Sequence, residues 1–71
     1  MVKVKDQHGL SRRERDILAK IAEGCTYAEI AHALGVGFET VKSYLARIRA
    51  KLGMRTRTRL AVWWISREED D

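Results

Sequence analysis

The chain has 71 residues, a formal charge of +4 and no proline. That length holds one small domain, with room for about 60% of the unfolded chain's surface to be buried. A lone cysteine, Cys25, excludes an internal disulfide and fits a reducing compartment. No apolar run reaches the ~20 residues of a membrane span, and MVKVKDQHG lacks the apolar stretch of a signal peptide.

Residues 1–9 are polar and end in glycine, and they read as a flexible N-terminal arm. A first helix is expected over about 12–23. Ser11 with Glu14 forms a capping box, Ile17, Leu18, Ile21 and Ala22 form the apolar stripe, and Gly24 stops the helix. A second helix is expected over 27–34. Thr26 with Glu29 caps it, and Tyr27, Ile30, Ala31 and Leu34 share one face. The small Ala31 permits close crossing by another helix.

Gly35 and Gly37 bracket a short turn into a third helix over 38–52. Val41, Leu45, Ile48 and Leu52 recur at spacings of four, three and four, the pattern of a buried stripe. The opposite face carries Glu39, Lys42, Ser43, Ala46, Arg47 and Ala50. It is small in the middle and basic at its sides, and Glu39 is its only acid. A helix that enters the DNA major groove needs this combination of low bulk and flanking cations. Gly53 ends the third helix and Thr56 caps a fourth, over 57–66. Leu60, Ala61, Trp64 and Ile65 share one face, and Val62 and Trp63 point elsewhere. So much bulk on a short helix either sets one side on the core and the other on a partner or a second copy, or leaves both tryptophans capping a small core. The fold class expected is all-α, a compact four-helix domain over 10–66.

Charge is uneven. An acidic tail over 67–71 holds Glu68, Glu69, Asp70 and Asp71, and without those four acids the chain carries +8. Between Lys42 and Arg59 stand Lys42, Arg47, Arg49, Lys51, Arg55, Arg57 and Arg59, with no acid among them. A one-sign block on a small helical domain points to an anionic partner, most often nucleic acid. His8, His32 and Cys25 do not have the spacing of a zinc site, so no metal is expected. The chain has no phosphate-cradling glycine loop and no nucleophile with a base and an acid. The expectation is a protein that is not an enzyme, without cofactor or small-molecule ligand.

The motifs LSRRERDIL at 10–18, EIA at 29–31, LGV at 34–36, TVKSYLARIRAKLG at 40–53 and RTRLAVW at 57–63 follow one another in this order and spacing. Together they resemble the LuxR/GerE-type DNA-binding domain of bacterial transcription regulators. The resemblance covers Leu10 to about Ile65. It implies a cytoplasmic, nucleoid-associated regulator of transcription whose third helix reads double-stranded DNA, with a homodimer formed through the fourth helix at Val62 and Trp63. RNA polymerase would be a further partner.

The family's base-contacting positions correspond to Lys42, Ser43 and Ala46. Its phosphate contacts correspond to Thr40, Tyr44, Arg47 and Lys51, with Thr26, Tyr27, Arg57 and Thr58 as further candidates. Gly37 stands where a capping serine is usual, and Tyr44 where histidine is common. Most family members carry another domain before this one, so the chain resembles the short stand-alone GerE-like regulators or an excised domain. Two rivals share parts of the pattern. A sigma-factor C-terminal domain has similar SYxEIA and TVKS stretches but normally lacks the fourth helix. A helix-turn-helix module turned to protein interaction would use the tryptophan helix.

Overall fold

The three glycine stops and three capping residues divide the chain into four helices. A computed structural model describes residues 9–69, and the helices are α1 Arg12–Ala22, α2 Tyr27–Leu34, α3 Phe38–Leu52 and α4 Arg57–Glu69. Among the described residues there is no strand. The expected arm lies outside the described residues except for Gly9, and so do Asp70 and Asp71 of the tail. Helix α4 runs on to Glu69, so Arg67, Glu68 and Glu69, expected in the tail, are helical. Without a proline or a glycine after Gly53, nothing in the chain interrupts α4 at Ser66.

Both capping boxes form as the sequence predicts. The Glu14 N–H donates to Ser11 Oγ at 3.1 Å, and the Ser11 N–H donates to Glu14 Oε1 at 2.8 Å. Thr26 and Glu29 repeat the pair at the same two distances. Thr56 Oγ1 accepts from the Arg59 N–H at 3.1 Å at the start of α4. The turn between α2 and α3 needs Gly35, which sits in the left-handed region at φ 69°. From there the Val36 N–H reaches back to the Ala31 carbonyl at 3.0 Å and closes the end of α2. Gly37 has an ordinary extended φ of −80° and supplies no side-chain cap to α3. A Cβ there would meet only Thr40 Oγ1, at 3.9 Å, so the usual serine would fit.

The core joins Leu10 to Ile17, Leu18 and Ile21 of α1, Ile30 and Ala31 of α2, Val41, Leu45 and Ile48 of α3, and Leu60 of α4. Helix α1 is the centre of the packing: α4 lies mainly against it, while α2 and α3 pack on each other and on α1. The buried Ala31 keeps the crossing of α2 and α3 close. Tyr27, Leu34, Leu52, Ala61 and Trp64 are half-buried at the core's edge. Two expectations about α4 change. Ile65 is 44% exposed and so leaves the face it was expected to share with Leu60 and Trp64. Trp63 is half-buried against the core beside Trp64, the alternative in which both tryptophans cap it. Both tryptophans lie near Arg67, whose guanidinium stands 4.4 Å from the Trp64 ring centre and 5.8 Å from that of Trp63. The rows of α4 are thus rotated from the expected ones, and Thr58, Val62 and Ile65 form its exposed side.

Candidate nucleic-acid interface

Burial of Val41, Leu45 and Ile48 fixes which side of α3 faces away from the protein. Glu39, Thr40, Lys42, Ser43, Ala46, Arg47 and Ala50 are all exposed there. Lys42, Ser43 and Ala46, the expected base readers, therefore share one accessible surface. The turn at 35–37 sets the start of this helix beside the start of α2. Phe38 meets Tyr27 with ring centres 6.2 Å apart and planes tilted by 49°. Thr26 and Tyr27 thereby join the α3 surface, and with them come the Tyr27 and Ala28 N–H groups, which the capping box does not use.

The basic block divides into two sets. Arg49 donates to the Tyr27 hydroxyl at 3.2 Å. Arg57 donates to the Cys25 carbonyl at 3.0 Å and stacks over the Tyr27 ring at 5.2 Å. The Lys51 ammonium reaches Glu14 Oε1 at 2.7 Å and the Gly9 carbonyl at 2.9 Å. These three cations tie α2, α3 and α4 together and hold the first described residue against the end of α3. Lys51 and Arg57, expected on phosphate, thus have internal partners.

The second set faces solvent. Lys42, Arg47, Arg55 and Arg59 are exposed. Lys42 lies over the Phe38 ring with Nζ 5.8 Å from its centre, and Arg47 over the half-buried Tyr44 at 5.2 Å. Such contacts hold a cation near an aromatic face without neutralising it. Of the other expected phosphate contacts, Thr40 and Thr58 are exposed, and Thr26 uses its hydroxyl as a cap.

Among the described residues Glu14 is the one buried charged residue, 1% exposed. Burial opposes its ionisation, but the Lys51 ammonium and the Ser11 N–H outweigh that cost, and its pKa lies below the ordinary value. The capping role was readable from Ser11-x-x-Glu14. The pairing with a lysine 37 residues away carries no local signal. Phe38 and Arg49 were likewise absent from the expected site, although each holds Tyr27, an expected member. Among the described residues no group of three or more His, Cys, Asp or Glu side chains converges on a metal-sized site, and no helix is long and apolar enough to cross a membrane.

A four-helix unit with a glycine turn between α2 and α3, and with one basic, small-centred face left open on α3, is a helix-turn-helix domain. Residues 8–64 match the family described as bacterial regulatory proteins, luxR family, and the chain belongs to this family. It is 50% identical over 56 residues to the HTH-type transcriptional activator RamA of Corynebacterium glutamicum, covering 79% of this chain and 20% of that protein. It is 44% identical over 55 residues to the DNA-binding transcriptional activator DevR/DosR of Mycobacterium tuberculosis, covering 78% and 25%. With the nitrate/nitrite response regulator protein NarL of Escherichia coli it shares 37% identity over 59 residues, covering 83% and 27%. The chain spans about a fifth to a quarter of these relatives.

Proposed function

We propose that the chain binds double-stranded DNA sequence-specifically to regulate transcription, with α3 in the major groove. The observation that carries this is the separation of charges on α3. Arg49 and Lys51 are spent on the fold, while Lys42 and Arg47 flank a low centre of Ser43, Ala46 and Ala50. Lys42 bonds guanine O6 or N7, Ser43 donates or accepts, and Ala46 meets a thymine methyl. Arg47, Thr40, Tyr44 and the start of α2 at Thr26 and Tyr27 hold phosphates and set the register. Arg57, Lys51 and Thr58 act at the margin, the first two mainly by fixing the elements.

Binding is tested by titrating a labelled duplex across salt concentrations. Each phosphate neutralised contributes a slope of about −0.9 to log K against log[salt]. The expected slope per chain lies between about −1, from Arg47 alone, and about −3 with Arg55 and Arg59 added. Salt-independent binding, or none, overturns the groove reading.

The reading face is short, so two copies on one site supply the remaining affinity. The exposed side of α4, with Val62 at 58% and Ile65 at 44% exposure, offers the apolar contact, and Trp63 stands at its edge. Val62→Asp on this surface should leave folding unchanged and reduce occupancy of a palindromic duplex from two chains to one, read by sedimentation velocity. Unchanged two-chain occupancy would remove α4 from the interface.

A further inference from the structure

Glu39 is the only acid of α3, and it stands on the face otherwise equipped for an anion. It is exposed, and its carboxylate has no hydrogen bond or ion pair among the described residues. At ~100° per residue, Glu39, Ser43 and Ala50 fall within about 30° of the direction opposite the buried stripe, and Ala46 lies about 50° to one side of it. Arg47 lies about 50° to the other side and Lys42 about 90° away, beyond Ala46. Glu39 therefore leads the centre of the surface, one turn ahead of Ser43, in the N-terminal part of the helix that meets base edges in helix-turn-helix complexes.

A carboxylate at this place is costly if the surface reads only the backbone, because phosphates repel it. Against base edges it discriminates. Cytosine offers the N4 amino group as a donor, whereas guanine O6 and N7 and thymine O4 present only lone pairs. Adenine sets its N6 donor beside the N7 lone pair, which a second carboxylate oxygen meets unfavourably. Ser43 accommodates any base and Ala46 has no polar group, so neither rejects a wrong base strongly.

We infer that Glu39 is a specificity-determining residue that selects cytosine at one base pair of each half-site. This rests on the DNA-binding reading given above. A first-turn acid also suits the positive end of the helix dipole, but that role is indifferent to DNA sequence, and the following experiment separates the two.

Duplexes are selected from a random pool by the 71-residue chain and by its Glu39→Gln and Glu39→Ala variants, with folding checked by circular dichroism. The unchanged chain should enrich cytosine about tenfold at one position per half-site. Glutamine bonds adenine N6 and N7 together, so Glu39→Gln should move that preference to adenine. Glu39→Ala should flatten that position alone. The same preferred sequence from all three proteins overturns the inference and leaves DNA binding standing, as does loss of all duplex binding by both folded variants. An unchanged chain that retains no duplex overturns the DNA-binding reading and this inference with it.

Discussion

Lys51→Ala is expected to cost about 2–3 kcal/mol of folding stability, a large share of the ~5 kcal/mol available to a domain of this size. The reason is Glu14. Its side chain is 2% exposed, and Lys51 pairs with it at 2.7 Å. Without Lys51 the carboxylate keeps the Ser11 N–H and little else, and a buried charge that loses its partner costs ~3–5 kcal/mol. The 35% exposure of the lysine side chain lowers that figure, since water already reaches the pair. Glu14→Gln should cost less because the neutral amide retains an acceptor for Ser11. The double variant should be more stable than the sum of the two losses implies, since the residues act as a pair. Urea unfolding at constant slope measures all three. Acid adds a second reading. The folded-state pKa of Glu14 lies below the unfolded value. Its contribution is therefore fully present above the ordinary glutamate range and is lost as pH falls through the lowered folded value. The Glu14→Gln chain should lack that part of the acid destabilisation.

This ion pair also marks the boundary of what the sequence discloses. Element ends were legible because they are local: Ser11 with Glu14, Thr26 with Glu29, Thr56, and the glycines at 24, 35 and 53 each act within about five residues. The α3 stripe was legible because Val41, Leu45 and Ile48 recur at helical spacing, and with it came the exposed side that carries Lys42, Ser43 and Ala46. The fate of individual cations was not. Arg47, Arg49 and Lys51 look alike in a row, yet only Arg47 keeps its charge toward solvent, because α2 offers Tyr27 to Arg49 and α1 offers Glu14 to Lys51. Those partners lie 22 and 37 residues away. Helix α4 was read less well for a related reason. Leu60, Ala61, Val62, Trp63, Trp64 and Ile65 are continuous apolar sequence, so periodicity could not choose its inner face. Packing on α1 chooses it, burying Leu60 and leaving Val62 and Ile65 outside.

The division of cations gives the second large effect. Lys42→Ala with Arg47→Ala should lower duplex affinity about 100-fold near 150 mM salt and make the salt slope shallower by about 1, the phosphate contact of Arg47. Folding should change by no more than about 1 kcal/mol, because each side chain is exposed and offers the fold only a contact with Phe38 or Tyr44. The single variants should differ in kind. Arg47→Ala weakens all duplexes alike, as loss of a phosphate contact does, whereas Lys42→Ala also erases the guanine preference at its base pair. Lys51→Ala, assayed where it is still folded, should keep the slope of the unchanged chain, since its ammonium is already neutralised by Glu14. A shallower slope for Lys51→Ala would mean that the lysine leaves Glu14 for a phosphate on binding. DNA binding would then weaken the contact that holds Gly9 to the end of α3. Measuring the three slopes side by side therefore decides whether the Lys51 clamp is a fixed part of the fold or one that opens on DNA.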